Sequence, residues 1–254
     1  MRVATTIADV RRELAGATGV GLVPTMGALH EGHVALLARA RAECDTVVAS
    51  VFVNPAQFAD ARDLNGYPRD DSRDVSVAAD CGVDVLFVPS VDEMYPEGFQ
   101  TWVEVEELGA VLEGEHRPGH FRGVATVCLK LFNIVRPQRA YFGQKDAQQV
   151  AVLRRMIRDL DLELELRVVP TVRDADGLAL SSRNTRLSPD QRHAALALPR
   201  ALATRDADRA RELLRGLDVD YVAVADFEPR VLAAAVRIGD TRLIDNVVLE
   251  GEDE

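Results

Sequence analysis

The chain has 254 residues, of which 47% are hydrophobic and 28% are charged, and its formal net charge is −11. A chain of this length buries about 70 to 75% of the surface of its unfolded state, so a large core forms without disulfides or metals. The negative charge argues against sequence-independent binding to nucleic acid, because such binding needs a basic surface. No apolar run approaches the length of about 20 residues that spans a membrane.

The N-terminal segment and the cysteines indicate a cellular compartment. Residues 1–16 have a helical period and lack the apolar core and cleavage site of a signal peptide. The three cysteines, Cys44, Cys81 and Cys128, are odd in number and stand outside any CxxC pair. This spacing indicates neither a disulfide framework nor a structural zinc site. We therefore expect a cytoplasmic protein whose thiols fill the core.

The first two thirds of the chain alternate between predicted strands and predicted helices. Short runs that are rich in β-branched residues and closed by Pro, Gly or Asn predict strands over 20–24, 46–53, 83–89, 139–143 and 162–170. Apolar residues at helical spacing predict helices over 33–43, 70–81, 122–135 and 146–159. In the last of these, Val150, Leu153, Ile157 and Leu160 share one face. This alternation predicts an α/β domain, a doubly wound parallel sheet covered on both faces.

The pattern changes after about residue 170. The sequence SPDQ, residues 188–191, is a helix start, because Ser188 and Gln191 can form a capping box. We expect a second, smaller α+β domain with antiparallel strands, so the predicted domains are residues 1–170 and 171–254. The predicted elements of the second domain are a helix over 189–204, a short helix over 207–215 and strands within 219–227 and 242–250.

Two histidines, His30 and His33, stand between the first of these strands and a helix, in the sequence PTMGALHEGH. Ligands of an open α/β sheet bind beyond the carboxyl ends of its strands, and the N-terminus of a helix attracts phosphate. Gly27 and Gly32 let the backbone approach a ligand or adopt positive φ, and both histidines can donate to phosphate oxygens. A structural role for the histidines is the alternative. A zinc-hydrolase motif is excluded, because HExxH places its histidines four residues apart.

Two further loops follow predicted strands. Asn54 and Gln57, within FVNPAQF, could form hydrogen bonds to a ligand, although a solvated loop is the commoner meaning of such a turn. Lys145 could neutralise phosphate, and Asp146 could hold Mg²⁺ directly or through water or could instead cap a helix. Gln149 lies one helical turn after Asp146 and would face the same way.

A fourth polar loop, DADGLALSSRN, occupies residues 174–184. Ser181 and Ser182 offer hydroxyls, and Arg183 offers a planar charged group that matches phosphate. An ordinary turn rich in Ser and Asn is the alternative for this loop alone. Four such loops at one edge of a sheet are harder to explain by turn chemistry, and together they favour a phosphate-binding site.

Seven motifs in order give the sequence a resemblance to a known family. They are PTMGALHEGH, FVNPAQF, YPRD, EHRPGHFRGVATV, YFGQKDAQQ, PTVRDADGLALSSRN and TRLIDN, and they extend over about residues 20–247. Sequences with these motifs resemble the pantoate–β-alanine ligases, whose first domain belongs to the Rossmann-like nucleotidyltransferases with an HxGH signature for ATP. The resemblance implies that (R)-pantoate, β-alanine and ATP give pantothenate, AMP and pyrophosphate through a pantoyl adenylate.

The resemblance also implies the site residues. His33 matches the position usually assigned as catalytic, and the donors that stabilise the growing phosphoryl charge would be His30, His33, Lys145, Ser182 and Arg183. Pantoate would contact Gln57, Gln149 and Asn54, with Gln57 also serving β-alanine, and Asp146 would hold Mg²⁺ through ATP. The implied ATP-binding residues are Met26, Gly27, Ala28, Leu29, His30, Glu31, Gly32, His33, Gly143, Gln144, Lys145, Asp146, Val172, Leu180, Ser181, Ser182 and Arg183.

The expected partners are therefore the small molecules ATP, Mg²⁺, pantoate and β-alanine, with no nucleic acid and no membrane, and we expect a homodimer. Two other functions stay open: another nucleotidyltransferase-type enzyme with HxGH, and a non-catalytic nucleotide-binding module. The second domain is short for the family around residues 199–235, so its role as a lid is less firmly implied than the ATP site.

Overall fold

A computed structural model describes residues 1–249 of the chain. The ends of the predicted strand 242–250 and of the predicted second domain therefore lie outside the described residues. No helix within residues 1–249 is long and apolar enough to cross a membrane.

The chain packs into two compact units. The first comprises Met1–Phe142 and Val152–Val169. The second comprises Gly143–Ala151 and the chain from Pro170 onward. The assignment of domains to residues 1–170 and 171–254 stays a prediction.

A six-stranded sheet forms the centre of the first unit. Its strands are β1 (Arg2–Ala4), β2 (Val20–Thr25), β3 (Thr46–Val51), β4 (Val85–Phe87), β5 (Arg139–Gly143) and β6 (Glu165–Val169). The strand order is β1-β4-β3-β2-β5-β6, and β2 is parallel to β3 and β5, as β4 is to β1 and β3. The order reverses between β2 and β5, and such a switch point is where open α/β sheets bind ligands. The predicted fold class is confirmed.

Helices surround this sheet and supply most of the remaining core. They are α1 (Ile7–Glu13), α2 (Glu31–Glu43), α3 (Ala61–Asn65), α4 (Asp71–Asp80), α5 (Val91–Met94), α6 (Glu106–Ala110), α7 (Glu113–His116), α8 (His120–Val135) and α9 (Ala147–Asp159), which both units share. A short 3₁₀ turn, Pro55–Gln57, follows β3. Fully buried residues such as Leu37 on α2, Val47 on β3 and Leu86 on β4 fill one core cluster. Near-continuous apolar strands thus become the covered centre of the sheet.

The N-terminal segment and the end of α9 differ from their predictions. Residues 2–4 form β1 and pair with β4, and only then does Thr6 cap α1 by accepting a hydrogen bond from the Asp9 N–H at 3.1 Å. The helical period of residues 1–16 concealed this strand, because three residues are too short to show a period of two. Leu160 follows α9 and is 46% exposed, so the apolar face that it was predicted to share ends before it.

The second unit contains a three-stranded antiparallel sheet of order β7-β8-β9, as the α+β prediction requires. Leu198, Leu202, Leu214 and Leu232 are buried together in its core. Its elements are α10 (Pro189–Ala195), α11 (Ala197–Leu202), α12 (Ala207–Leu213), β7 (Asp218–Ala225), β8 (Val231–Ile238) and β9 (Thr241–Val248).

Two predictions for this unit need correction. The single helix over 189–204 is divided into α10 and α11, because Pro199 has no N–H to donate to the Ala195 carbonyl. The central strand β8 was not predicted, since its alanine-rich sequence VLAAAVRI lacks the alternation of a half-buried strand. The capping box at the start of α10 is confirmed: Ser188 and Gln191 exchange hydrogen bonds of 3.2 and 2.9 Å.

Candidate active site

The loop that joins β2 to α2 contains two successive residues in the left-handed region, Gly27 at φ 82° and Ala28 at φ 50°. The Thr25 hydroxyl closes the start of this loop, because it donates to the Ser50 carbonyl at 2.7 Å and accepts from the Gly27 N–H at 3.1 Å. Of the two roles expected for Gly27, close approach to a ligand or a positive φ, the structure shows the positive φ. Gly32, in contrast, lies in the first turn of α2.

The two histidines of the loop close the N-terminus of α2 with a reciprocal pair of hydrogen bonds. The Nδ1 atom of His30, the N-cap residue, accepts from the Gly32 N–H at 3.1 Å. The Nδ1 atom of His33 accepts from the His30 N–H at 3.2 Å, and the two ring centroids lie 4.1 Å apart. This is a capping box in which histidines replace the usual small polar and acidic residues. His30 and His33 thus have a structural role, and their binding of phosphate stays a prediction.

The same hydrogen bonds are compatible with phosphate binding. A ring nitrogen that accepts an N–H carries no proton, so the proton of each neutral imidazole resides on Nε2. His30 and His33 therefore each carry on Nε2–H the kind of donor that a phosphate oxygen needs. The helix N-terminus adds a partial positive charge at the same place.

Asn54 is the N-cap of the 3₁₀ turn after β3 and Gln57 is the last residue of that turn, and only 1% and 8% of their surfaces are exposed. The solvated loop that such a turn suggests is therefore wrong. The Asn54 Nδ2 donates to the Gln57 Oε1 at 3.0 Å and to the Gly123 carbonyl at 3.1 Å. The Gln57 Nε2 lies 3.2 Å from the Met26 Sδ, a weak acceptor. These contacts join two predicted subsites, since Met26 belongs to the ATP-binding set.

Three residues near this turn were missed as contributors to the site. The Tyr95 hydroxyl donates to the Asn54 Oδ1 at 2.9 Å, and burial raises the pKa of Tyr95, which keeps the phenol protonated as a donor. The His120 Nδ1 lies 2.9 Å from the Gln57 carbonyl oxygen. A Cβ at Gly123 on α8 would overlap the carbonyl of Ala56, so glycine is required for this close packing. His120 and Gly123 stand in the motif EHRPGHFRGVATV, whose function the sequence alone did not reveal.

In the second unit, Lys145 and Asp146 belong to a 3₁₀ turn, Gln144–Asp146, that directly follows β5 in the chain. The Lys145 Nζ lies 3.5 Å from an Asp146 carboxylate oxygen, and the Lys145 side chain is 19% exposed. Asn246 on β9 holds the turn through its carbonyls, because its Nδ2 donates to Gln144 and Lys145 oxygens at 2.9 Å each. The Gln144 Nε2 donates back to the Asn246 Oδ1 at 3.0 Å. Gly143 is the N-cap of this turn, and the alternative that Asp146 caps the following helix stays a prediction.

The motif TRLIDN therefore acts as a support for the turn. Beside Asn246, the buried Asp245 accepts two hydrogen bonds from the Arg173 guanidinium, at 2.6 and 3.0 Å. The Leu180 N–H donates to the Val172 carbonyl at 3.0 Å, which places these two members of the predicted ATP-binding set side by side.

The Ser181–Arg183 segment forms the turn that was the alternative to a binding loop. Ser181 caps a 3₁₀ helix, Ser182–Arg186, and its hydroxyl accepts from the Arg183 N–H at 3.2 Å. The Asn184 Nδ2 donates to the Ala179 carbonyl at 3.0 Å. This 3₁₀ helix and the Gln144–Asp146 turn both pack against β9, so one strand brings together the two predicted ATP-binding segments of this unit.

The remaining predicted residues have separate positions. Gln149 is half-buried on α9, and Glu31 is exposed in the first turn of α2. Within residues 1–249, no group of three or more His, Cys, Asp or Glu side chains is arranged to hold a metal ion.

A parallel α/β sheet whose first loop ends in a histidine-capped helix defines an enzyme of the nucleotide-binding α/β class. The family model described as pantoate-beta-alanine ligase matches residues 2–248. The chain belongs to the pantoate–β-alanine ligase family, and the resemblance carried by the seven motifs is confirmed.

Proteins and solved structures similar to this chain agree with that family. The chain is 49% identical to the pantothenate synthetase of Pelotomaculum thermopropionicum, with 98% of this chain and 99% of that protein covered. A structure of pantothenate synthetase from Thermus thermophilus has a TM-score of 0.94 at 47% identity, covering 99% of this chain and 100% of that one. A pantoate-beta-alanine ligase structure from Francisella tularensis, described as complexed with beta-gamma ATP and beta-alanine, has a TM-score of 0.89 at 35% identity, covering 99% of each chain.

Proposed function

We propose that this chain catalyses the ATP-dependent ligation of (R)-pantoate to β-alanine, giving pantothenate, AMP and pyrophosphate through a pantoyl adenylate. The family supports the overall reaction, and the Francisella tularensis relative is described with an ATP ligand and β-alanine. The observation that carries the assignment to this chain's own residues is the capping box of His30 and His33, since it puts the proton of each neutral ring on Nε2, from which it can be donated to phosphate.

The first step is attack of a pantoate carboxylate oxygen on the α-phosphorus of ATP. Negative charge grows on the phosphoryl oxygens and on the departing pyrophosphate, so donors that are fixed beforehand stabilise the transition state. We assign this role to the Nε2–H groups of His30 and His33 in the first unit. In the second unit we assign it to Lys145, Ser182 and Arg183.

The ATP-binding set stays the one that the motifs imply: Met26–His33, Gly143–Asp146, Val172 and Leu180–Arg183. Val172 and Leu180 pair through their backbones, and Ser181 caps the following 3₁₀ helix through its hydroxyl. ATP would bring Mg²⁺ with it, and the single Asp146 carboxylate, 44% exposed, suits an ion that keeps phosphate and water ligands. Mg²⁺ supplies charge neutralisation when it is bound.

The pantoate subsite is assigned to Gln57 and Gln149, with Gln57 also serving β-alanine. Asn54 has a different part in this proposal. Its Nδ2 donates twice and its Oδ1 accepts from Ala56 and Tyr95, so its carboxamide is fully occupied within the protein. We assign Asn54 to positioning, because it binds the Gln57 Oε1 and thereby leaves the Gln57 Nε2 as the donor for the acid.

In the second step the β-alanine amine attacks the acyl carbon of the adenylate, AMP leaves, and the amine loses a proton. This step needs a neutral amine held against the acyl carbon and the exclusion of water. No enzyme nucleophile is needed for it. We further propose that the chain works as a homodimer in the cytoplasm, where free thiols such as those of Cys44, Cys81 and Cys128 persist.

The proposal is tested by AMP formation with each substrate omitted in turn. We expect AMP to form over many turnovers only when ATP, pantoate and β-alanine are all present. We expect light scattering to give the mass of two chains, as a homodimer requires. AMP formation with another acid or amine, and not with these two, would favour a different nucleotidyltransferase-type enzyme. ATP binding without turnover would favour a non-catalytic module.

A further inference from the structure

A carboxylate is buried against the loop that precedes His30. Asp74, near the start of α4, exposes only 2% of its surface. Its Oδ2 accepts from the Ala28 N–H at 2.8 Å, and its Oδ1 accepts from the Leu29 N–H at 2.7 Å. The two oxygens of one carboxylate thus bind two successive backbone amides of the loop.

This contact gives Gly27 a second reason to be glycine. A Cβ on Gly27 would lie 2.6 Å from the Asp74 Oδ2, which is closer than carbon and oxygen atoms approach. The residue therefore accommodates both a φ of 82° and the carboxylate. Any larger residue would displace Asp74 from the loop.

The loop needs the carboxylate to keep its shape. Ala28 holds a φ of 50°, and a non-glycine residue keeps this conformation only where its surroundings hold it. The buried charge in turn needs hydrogen bonds, which the Ala28 and Leu29 amides supply, and the N-terminal end of α4 adds a favourable dipole. The loop and the carboxylate therefore stabilise each other.

We propose that Asp74 is a positioning residue for the phosphate-binding histidines. It fixes the two residues immediately before His30, and so it sets where the N-cap and the Nε2 atoms of His30 and His33 stand. This inference rests on the proposed function, because it takes those histidines to be ATP ligands. Misplacement of a reacting group by about 1 Å can lower a rate on the order of 100-fold.

An isosteric substitution of Asp74 tests what the second oxygen of its carboxylate contributes to the loop. Asp74→Asn keeps the shape of the side chain but replaces one acceptor by an NH₂ group, which would face a backbone N–H. Asp71→Asn is the matched control, since Asp71 is exposed on the same helix and loses the same charge without touching the loop. Should Asp74→Asn not fold, Asp74→Glu takes its place, because it keeps both oxygens but moves them by one methylene group.

The first measurement is amide hydrogen exchange in the ligand-free protein. We expect slow exchange at Ala28 and Leu29 in the unsubstituted chain, and exchange about tenfold faster or more in the Asp74 variant. The second measurement is the Kd of ATP without pantoate, together with kcat/KM for ATP. We expect Asp74→Asn to weaken ATP binding and to lower kcat/KM by about 10- to 100-fold at a temperature where it is fully folded. Asp71→Asn should stay within about twofold.

A folded Asp74 variant with unchanged ATP binding and unchanged kcat/KM would overturn the inference. So would unprotected Ala28 and Leu29 amides in the unsubstituted chain. A lowered Tm with unchanged Kd for ATP would mean a purely structural role, which is also a refutation. Failure of the proposed ligation is a separate result, because ATP binding and amide exchange are measured without pantoate and β-alanine.

Discussion

Two of the segments predicted to bind ATP are stabilised in different ways. In the first unit, His30 and His33 cap α2 with the same rings that are assigned to phosphate, so a chemical group also carries local structure. In the second unit, the turn that bears Lys145 is held through its backbone by Asn246. A substitution in the first segment is therefore expected to change stability and chemistry together. In the second segment, stability and chemistry can be changed separately.

The largest effect is expected at His33. His33→Ala removes a preorganised donor, so we expect kcat to fall by about 10²- to 10³-fold. It also removes the acceptor for the His30 N–H, so the free energy of unfolding should fall by about 0.5 to 2 kcal/mol. Steady-state kinetics and thermal unfolding measure the two losses.

His33→Asn separates these losses. Its Oδ1 can still accept from the His30 N–H, but no group replaces the Nε2–H. We expect Tm to stay near that of the unsubstituted chain while kcat falls as far as in the alanine variant. Full activity in either variant would return His33 to a structural role alone.

A smaller loss of substrate affinity is expected from two substitutions that compare the proposed pantoate and ATP subsites. Gln57→Ala should raise the KM for pantoate by about 10- to 100-fold, equivalent to ~1.5 to 3 kcal/mol for hydrogen bonds to a charged group, and leave ATP affinity within about threefold. Arg183→Ala should weaken ATP use at every pantoate concentration. Equal loss of both affinities in both variants would contradict separate subsites.

Asn246→Ala tests the support of the Lys145 turn. It removes two donors to backbone carbonyls, and we expect kcat/KM for ATP to fall about tenfold and the free energy of unfolding by about 1 to 3 kcal/mol. Lys145→Met, the comparison variant, should lower kcat/KM with little change in Tm. A large loss of Tm in Lys145→Met would break the proposed separation of support and chemistry.

The smallest effect is expected at Tyr95. Tyr95→Phe removes one donor to the Asn54 Oδ1, which still accepts from the Ala56 N–H at 3.3 Å. We expect the KM for pantoate to rise by no more than about fivefold, equivalent to ~1 kcal/mol. A rise as large as that of Gln57→Ala would make Tyr95 a substrate contact instead of a support for Asn54.

Periodicity predicted the sheet well because its strands are short, apolar and bounded by breakers. The strand 139–143 has the predicted limits, and the helix over 70–81 is α4. Periodicity did not predict β1 and β8. The three residues of β1 are too few to show a period, and the alanine-rich sequence of β8 lacks alternation. The unpredicted division of the helix over 189–204 depends on one missing N–H, that of Pro199.

The candidate site was predictable from motifs only in part. The motifs identified the side chains that are predicted to contact ligands. The residues that hold those side chains in place, such as Asp74, Tyr95 and Asn246, are distant from them in sequence. Asp74 did leave a signal: it shares a buried helix face with Ala78, and an acidic residue on such a face needs a partner. The sequence does not reveal which backbone amides meet it.

One relative contains residues that this chain lacks. The match to the Pelotomaculum thermopropionicum protein extends over 279 positions, more than the 254 residues of this chain, so that relative contains residues with no counterpart here. The shortness expected around residues 199–235 stays a prediction. Whether the second unit acts as a lid stays a prediction, which fluorescence from a label on that unit would test by its response to ATP.

In the proposed mechanism the acid is activated before the amine takes part, and one incubation tests this order directly. The enzyme is mixed with ATP, Mg²⁺ and pantoate, without β-alanine, and pyrophosphate and adenylate are measured after a rapid quench. We expect a burst of pyrophosphate close to one equivalent per active site, with a matching amount of pantoyl adenylate that β-alanine converts to pantothenate and AMP. Pyrophosphate that appears only after β-alanine is added would contradict it.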